Sequence, residues 1–309
     1  MNTQGSNVIA APHGMEAQQA ELADRIARNI PGDGLHDSIV PGLSLIQASE
    51  PSLPLPGVYH PSLCVVVQGS KRALLGEDVF HYDALNYLVV SMSLPITGQI
   101  LDATPNSPYL CLRIDIDTAL VNELLQQLPA ERASRRGGRA VFVGRTSPTL
   151  LDAVLRLVRL IDTPEEAAIL APLATREIHY RVLTGELGGR LRELCDVEGP
   201  SQRVARAIDL IKQRYHEPLR IEQLAAAAHM SASSLHERFK AATAMTPLQY
   251  QKQLRLQEAR RLMLVDGIEA AAASHRVGYE SPSQFSREYR RLFGAPPRRE
   301  VMAMRGPAG

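Results

Sequence analysis

The chain has 309 residues, of which 45% are hydrophobic, and its 34 Lys and Arg nearly balance its 33 Asp and Glu. This length suits two domains better than one, and the apolar content is ample for packed cores. No apolar run reaches the roughly 18–20 residues of a membrane-spanning helix. The first twenty residues lack the pattern of a signal peptide, and three scattered cysteines (Cys64, Cys111 and Cys195) favour a reduced, cytoplasmic protein without a membrane partner.

Charge is distributed unevenly along the chain. Residues 201–309 carry 18 Lys and Arg against 10 Asp and Glu, whereas residues 1–200 carry 16 against 23. The C-terminal third therefore has a net charge of +8 and the remainder −7. This division is typical of a nucleic-acid-binding module joined to an acidic partner domain. A basic solvated face would give the same counts, so charge alone does not establish DNA binding.

The chain begins with a polar lead-in, residues 1–40, in which one helix is predicted from Glu16 to Asn29. Between Leu43 and Asp117, short apolar runs alternate with turn signals, a pattern that predicts an antiparallel β-barrel or sandwich. A Pro-rich segment, 51–57, interrupts the strands. The predicted strands are 43–46, 63–67, 71–75, 79–82, 87–92, 96–100 and 109–116.

Helical spacing begins at Thr118, which is predicted to cap a helix ending at Leu128. Two more helices, 148–161 and 165–184, complete a domain of residues 41–200. The apolar stripe of the first must pack on the barrel, on neighbouring helices or on a second subunit. Residues 129–144 between these helices are predicted as a basic loop that contains Arg132, Arg135, Arg136 and Arg139.

Residues 201–300 contain a helix-turn-helix pattern twice, before a predicted tail of residues 301–309. A shift of fifty residues superimposes Ser231 on Ser281, Leu235 on Phe285, Phe239 on Tyr289, Ala244 on Gly294, and Pro247 on Pro297. A helix capped by Thr246 joins the two copies and spans about 28 Å at 1.5 Å per residue. This all-α domain is therefore expected to place two recognition helices about one DNA turn, roughly 34 Å, apart.

In each copy the first helix braces the motif and the second is expected to enter the major groove. Gln284 and Arg287 are the best candidates for base readers, because glutamine can pair with adenine and arginine with guanine. The residues predicted to meet phosphates are Arg238, Lys240, Arg290 and Arg291. Ordinary surface exposure remains the alternative for each polar residue. The predicted DNA-contacting residues are Ser231, Ser233, Ser234, His236, Glu237 and Lys240 in the first copy and Ser281, Ser283, Gln284, Arg287 and Arg290 in the second.

These residues resemble the AraC/XylS family of transcription regulators. The most specific match is Gly278-Tyr279-Glu280-Ser281 followed by Phe285-Ser286-Arg287. The segments 59–63, 68–71 and 87–90 are similar to the companion domain in one branch of that family. The resemblance covers about residues 40–300. It implies a cupin-like barrel that senses a small molecule or mediates dimerisation, with double-stranded DNA, a second copy and RNA polymerase as candidate partners.

Several positions depart from the family pattern. Ala244 stands where glycine is usual, and a positive φ there would cost about 1 kcal/mol. Ala270 and Ala273 replace larger apolar residues in the second bracing helix, so we expect that helix to be less well anchored. Glu237 stands where arginine is common, which weakens its assignment as a DNA contact.

The candidate effector site consists of the polar and aromatic side chains best able to line the barrel mouth. The sequence has no His-x-His pair, no nucleotide-binding glycine motif and no nucleophile elbow, so we predict no metal, cofactor or catalytic residue. Three hypotheses stay open: an effector-controlled regulator, a regulator whose barrel only dimerises or contacts another protein, and a barrel enzyme with a helical appendage. The candidate effector residues are Tyr59, His60, Cys64, His81, Tyr82 and Cys111, although Cys64 and Cys111 also suit a packed core.

Overall fold

The computed structural model describes residues 13–128, 138–186, 188–195 and 199–305. In this part of the chain, ten strands form two antiparallel sheets, as the sequence predicts. The six-stranded sheet contains, in spatial order, β1 (Gly34–Asp37), β2 (Leu43–Ala48), β9 (Tyr109–Asp115), β4 (Ser62–Gln68), β7 (Asn86–Val90) and β10 (Val141–Arg145). The four-stranded sheet contains β3 (Leu55–Tyr59), β8 (Leu94–Asp102), β5 (Ser70–Leu75) and β6 (Asp78–Asp83).

Strand β4 lies inside the large sheet and is apolar along almost its whole length. Leu63, Val65 and Val66 are all buried, so neither face of this strand meets solvent. A helix covers one face and the opposite sheet the other, which explains a continuous apolar run in place of the alternation of a half-exposed strand. The two sheets form a barrel-like sandwich with a common core.

Helices flank the large sheet. The apolar stripe of α3 is buried against α1 and α4, so among the predicted alternatives it packs on neighbouring helices of the same chain. The N-terminal helices are α1 (His13–Asn29), α2 (Thr118–Gln127), α3 (Pro148–Arg159), α4 (Pro164–Thr184) and α5 (Gly188–Cys195).

Three local predictions in this domain were wrong. Asp117, not Thr118, caps α2, because its carboxylate accepts hydrogen bonds from the backbone of Ala119 at 2.9 Å and Leu120 at 3.1 Å. Strand β3 forms within a segment expected to interrupt the strands, with Pro56 on an edge strand where a missing N–H is tolerated. Strand β10 replaces the end of the predicted basic loop, because it pairs with β7. The predicted loop residues Arg132, Arg135 and Arg136 lie outside the described residues.

Residues 200–305 are helical in the order expected of two helix-turn-helix motifs. Thr246 and Gln249 form a reciprocal capping box at the start of the helix between the motifs, as the sequence predicts for Thr246. The last helix continues to Arg305 and buries Val301, so the prediction of a tail was wrong for residues 301–305. Residues 306–309 lie outside the described residues. The helices are α6 (Pro200–Gln213), α7 (Ile221–Ala227), α8 (Ala232–Thr243), α9 (Pro247–Leu264), α10 (Ala270–Arg276), α11 (Pro282–Phe293) and α12 (Pro297–Arg305).

The N-terminal region packs directly against the first motif. The hydroxyl of Tyr250 donates a hydrogen bond to the backbone oxygen of Ser93 at 2.7 Å, and the amide of Ala140 donates to the carbonyl of Ala242 at 3.1 Å. One continuous hydrophobic cluster runs from the sandwich into α7 and α8. None of the helices described here is long and apolar enough to cross a membrane.

Candidate nucleic-acid interface

The two recognition helices, α8 and α11, begin and end in the same way. The side chain of Ser231 accepts the backbone N–H of Ser234 at 3.2 Å, and that of Ser281 accepts the N–H of Gln284 at 3.3 Å. Both helices end at a left-handed residue, Ala244 with φ 60° and Gly294 with φ 81°. The two copies, fifty residues apart in the sequence, thus also have their helix caps fifty residues apart. Ala244 adopts the positive φ at which alanine is disfavoured.

Buried aromatic and aliphatic side chains fix the inner face of each recognition helix. Leu235 and Phe239 are fully buried in α8, and Phe239 meets Tyr250 edge to face with ring centroids 5.5 Å apart. Phe285 and Tyr289 occupy the same positions in α11, with centroids 5.5 Å apart. Because residues three and four apart share a helix face, these anchors turn the polar positions of both helices outward.

The predicted contact residues of α8 lie on this outward face. Ser231, Ser233, His236, Glu237 and Lys240 are exposed, whereas Ser234 is half-buried. The described contacts give His236, Glu237 and Lys240 no side-chain hydrogen bond or ion pair, so they are available to an external partner.

The C-terminal end of α8 is held by the N-terminal domain. The guanidinium of Arg139 donates to the carbonyl oxygens of Lys240 at 3.0 Å and Ala241 at 2.8 Å, and it also pairs with Asp78. The helix therefore presents its N-terminal turns freely while its last turn is fixed. The sequence predicted Arg139 in a basic loop; in the structure it joins the N-terminal domain to the end of α8.

The outward face of α11 is more basic. Ser283, Gln284, Arg287 and Arg290 are exposed, and the described contacts give the two arginines no ion pair. Ser281 is half-buried, and its side chain caps the N-terminus of α11. The side-chain amide of Gln284 donates to Glu288 at 3.1 Å, so it must leave this carboxylate before it can read a base.

Glu288 is the centre of a small polar network in the second motif. It accepts hydrogen bonds from Lys252 at 2.9 Å and from the hydroxyl of Tyr279 at 2.8 Å, as well as from Gln284. Burial alone would raise the pKa of Glu288, but these hydrogen bonds and the Lys252 charge hold it below its ordinary value. The carboxylate is therefore charged at neutral pH and ties α9 to α11.

A concave basic surface adjoins the N-terminus of α8. Arg203 from α6 and Arg238 from α8 line it together with Ser231 and Ser234, and its volume is about 440 Å³. Arg238 is one of the predicted phosphate contacts, whereas Arg203 was not predicted from the sequence. Its position in the first turn of a basic amphipathic helix was the only available signal. Helix N-termini and arginines are common phosphate ligands.

Inside the sandwich, four of the six predicted effector residues come together around Lys71. The ammonium of Lys71 lies 5.5 Å from the ring centroid of Tyr59 and 5.9 Å from that of Tyr109. Cys64 and Cys111 are buried next to each other on β4 and β9, and Tyr82 is buried beside them. The structure thus groups Tyr59, Cys64, Tyr82 and Cys111.

This group has an unusual balance of charge. The described residues place no carboxylate within 4 Å of the Lys71 ammonium, and the hydroxyl of Tyr109 is buried beside Tyr82 and Cys111. The hydrogen bond with Cys111 and the nearby Lys71 charge lower the pKa of Cys64, whereas burial and neighbouring polar groups raise the pKa of Tyr82. A ligand with an anionic group would supply the missing counter-charge.

The other two predicted effector residues lie elsewhere. His60 is exposed at the domain contact, where its Nδ1 lies 3.3 Å from the hydroxyl of Ser93. His81 is exposed on the edge strand β6. Sequence analysis missed Lys71 and Tyr109 as members of the group. The alternation of β5 could have revealed Lys71, because it shares a strand face with the buried Ala73 and Leu75. The described residues contain no cluster of three or more potential metal ligands.

Two known families match this chain. Residues 39–190 match the family described as AraC-type transcriptional regulator N-terminus. Residues 224–300 match the family described as helix-turn-helix domain. The first match covers the sandwich from β2 onward together with α2, α3 and α4, and the second covers both recognition helices and the helix between them.

Curated relatives include transcription regulators from bacteria. The transcriptional activator RhaS of Escherichia coli O1:K1 / APEC is 27% identical over 176 residues, which are 57% of this chain and 61% of the relative. The transcriptional regulator CdhR of Pseudomonas aeruginosa is 28% identical over 181 residues, 56% of this chain and 50% of the relative. The chain thus matches only about half to three-fifths of the length of these relatives.

The fold resembles that of ToxT from Vibrio cholerae. Apo ToxT from strain SCE256 superimposes with a TM-score of 0.56 at 10% identity, over 87% of this chain and 98% of ToxT. A ToxT structure described as bound to an unsaturated fatty acid gives a TM-score of 0.54, over 84% and 93% of the two chains. At this identity the likeness concerns the two-domain fold alone.

Proposed function

The chain belongs to the AraC/XylS family of DNA-binding transcription regulators, and from this premise we propose that it reads two successive major-groove segments, one with each motif. The observation that carries the proposal is the equal build of α8 and α11, which share caps and outward polar faces. Helix α9 joins them, and its 18 residues span about 27 Å at 1.5 Å per residue. This spacing suits recognition helices that lie about one duplex turn apart.

The two helices divide base reading and phosphate contact differently. Arg287 is exposed, has no ion pair with any described residue and can bond bidentately to guanine, while Gln284 can pair with adenine once it leaves Glu288. In the first motif, His236 and Glu237 are the exposed candidates for base contact. Arg203, Arg238 and Arg290 are proposed phosphate contacts, which would fix the register on the duplex without reading sequence.

A footprint tests this reading mode. Fragments bound by the purified full chain would be selected from its source genome, and hydroxyl-radical protection would then be mapped on a selected site. We expect two protected stretches centred about 10 base pairs apart on one face of the duplex. Affinity should fall steeply with salt. In a plot of the logarithm of the binding constant against the logarithm of the salt concentration, each neutralised phosphate contributes about −0.9 to the slope. A single short protected stretch would refute reading by both motifs.

We further propose that the sandwich interior around Lys71 binds a small-molecule effector with an anionic group. Support comes from the Lys71 ammonium, which has no carboxylate partner among the described residues, and from Tyr59 and Cys64, which both lie near it. ToxT, whose solved structures include one described as bound to an unsaturated fatty acid, has the same fold. Calorimetric titration with a panel of carboxylates and their methyl esters would test the idea. Binding that requires the free acid and is lost in Lys71→Met is expected; equal binding of the esters would contradict it.

A domain that only dimerises remains the second candidate, and α4 favours it. Ile169, Leu173 and Tyr180 follow a helical spacing of four and seven residues and are 72%, 61% and 40% exposed. An exposed apolar stripe of this kind suits pairing with α4 of a second copy. Sedimentation of the wild type and of Leu173→Asp would test it. We expect a dimer that becomes a monomer, and a wild-type monomer would refute dimerisation.

Two remaining assignments depend on the family. The RhaS relatives are described as transcriptional activators, which supports RNA polymerase as a further partner of this chain. A regulator that binds chromosomal DNA acts in the cytoplasm, the compartment expected from the sequence. The alternative of a barrel enzyme has no specific observation in its favour, whereas both family matches favour a regulator.

A further inference from the structure

The segment that links α6 to α7 touches the second motif. Residues 214–220 precede the bracing helix of the first motif, whereas Gly278 lies in the turn between α10 and α11. A Cβ on Gly278 would overlap the carbonyl oxygen of His216, and the φ of +87° at this glycine also disfavours any side chain. The backbones of the two halves of the DNA-binding domain therefore meet directly at this point.

Arg255, in the middle of α9, bonds to both sides of this meeting point. Its Nε donates to the carbonyl oxygen of Tyr215 at 2.6 Å, and its Nη2 donates to that of Glu217 at 2.9 Å. On the other side, its Nη1 donates to the carbonyl oxygen of Gly278 at 2.9 Å. All three nitrogens of one planar guanidinium thus join the two halves. We call Arg255 and its three backbone partners the junction.

Neighbouring side chains hold the junction in place. The amide of Gln251, which is 2% exposed, donates to the carbonyl oxygens of Tyr215 at 2.9 Å and Glu217 at 2.7 Å. The guanidinium carbon of Arg255 lies 5.9 Å from the ring centroid of Tyr279. The ring of Tyr215 packs against both hydrophobic clusters of the chain. A rotation of the second motif about α9 would therefore break its own bond to the junction while the other half stays fixed.

We propose, on the premise that α8 and α11 read two successive major-groove segments, that Arg255 is a positioning residue for DNA recognition. It fixes the angle between the two recognition helices, and thereby the spacing of base-pair positions that the chain accepts. A change of one base pair in this spacing moves a groove segment by about 3.4 Å and turns it by about 35° around the duplex. A chain with an intact junction cannot follow this change without breaking the Arg255 bonds. Arg255 thus contributes to specificity without touching a base.

A lysine at this position would keep the charge but not the junction. Its ammonium carries all its donors on one atom, so it cannot reach the carbonyls that three guanidinium nitrogens reach separately. Arg255→Lys therefore separates the role of the junction from electrostatic attraction to phosphates. Arg261 is the matched control on the same helix, because it pairs with Glu258 at 2.9 Å and Asp266 at 3.4 Å, away from the junction.

Duplexes of varied spacing test the proposal. A site selected by the wild-type full chain would be rebuilt with its two protected stretches one or two base pairs closer together or further apart. Two further duplexes would each keep only one stretch. Fluorescence anisotropy would measure the affinity of the wild type, Arg255→Lys, Arg255→Met and Arg261→Lys for every duplex.

We expect the wild type and Arg261→Lys to bind the original spacing roughly tenfold more tightly than a spacing changed by one base pair. Both Arg255 variants should bind the original spacing roughly threefold to tenfold more weakly than the wild type. Their preference between spacings should fall below about threefold, because the two motifs can then turn against each other. Their binding to a single stretch should match that of the wild type, which also shows that each motif is folded.

The contrary results are distinguishable from one another. If the wild type binds one stretch as tightly as the complete site, reading by both motifs fails and the role of Arg255 fails with it. If the wild type needs both stretches but the two Arg255 variants keep its spacing preference, only the role of Arg255 is refuted. Loss of binding to every duplex in both variants would also refute it, because Arg255 would then be needed for folding and not for spacing.

Discussion

The two helix-turn-helix motifs share one local pattern but have different tertiary support. The first belongs to the same hydrophobic cluster as the sandwich, and Arg139 and Tyr250 join it to the N-terminal domain. The second packs in a separate, smaller cluster formed with the end of α9 and with α12. Equal caps therefore do not imply equal stability, since most helical stability in proteins comes from packing.

The bracing helices sharpen this contrast. Helix α7 buries Leu224 and Ala225, whereas α10 buries only Ala273 and Ser274, as expected from its alanine-rich sequence. The second motif relies instead on the contact between the tilted rings of Phe285 and Tyr289 and on the polar network of Glu288. We infer that the second motif opens more readily in the free protein and is stabilised by DNA.

The largest expected effect separates the two cores. Phe239→Ala and Phe285→Ala each remove a fully buried ring and should cost about 3–5 kcal/mol. Phe239→Ala should lower the main unfolding transition, because its cluster includes the sandwich. Phe285→Ala should melt the second motif and leave that transition nearly unchanged. Scanning calorimetry would distinguish them, and equal shifts of the main transition would argue for a single shared core.

Base reading should depend more on the second motif. Arg287→Ala is expected to weaken specific DNA binding by about 1–3 kcal/mol and to relax the preference at one base pair. His236→Ala should have a smaller effect, because a single histidine lacks the bidentate geometry of arginine. Binding to a panel of site variants would measure both. Arg298→Ala, which removes a 79% exposed arginine on α12, is the control. An unchanged preference in Arg287→Ala would refute its role as a base reader.

The domain contact of the first motif rests partly on one buried hydroxyl. Tyr250→Phe leaves the backbone oxygen of Ser93 without this donor and should destabilise the main transition by about 1–3 kcal/mol. Denaturant titration of the variant would provide the value. The corresponding change in the second motif, Tyr289→Phe, should affect only the local opening of that motif. A main transition lowered equally by Tyr289→Phe would contradict the separation of the cores.

The smallest effects test the two helix ends. Ala244→Gly should stabilise the protein by about 1 kcal/mol, because glycine tolerates the φ of 60° that alanine adopts there. Gly294→Ala should destabilise the second motif by a similar amount, and only through backbone strain, because a Cβ at that position meets nothing within 4 Å. In denaturant titrations, the two variants are expected to change the free energy of unfolding in opposite directions. Changes in the same direction would show that side-chain packing outweighs the backbone angle φ at these helix ends.

Much of this architecture follows from the sequence. The alternating strands, the caps Ser231 and Ser281 and the repeat of fifty residues are local patterns, and the structure reproduces them. Long-range pairing was harder to predict from the sequence. Strand β10 forms because it pairs with β7, and Arg139 donates to carbonyl groups about a hundred residues away in the chain. The candidate effector site was partly accessible, since strand alternation places Cys64 and Tyr82 inward. Gln284 and Glu288 are four residues apart on α11, a spacing that favours a contact, but the long-range contact of Glu288 with Lys252 on α9 is not visible in the sequence.

The most direct test of unequal support is hydrogen exchange of the full chain, measured with and without its DNA site. We expect slow exchange in α8 of the free protein, faster exchange in α10 and α11, and strong additional protection of α10 and α11 when DNA binds. Equal protection of both motifs in the free protein, with no selective gain on DNA binding, would contradict this expectation.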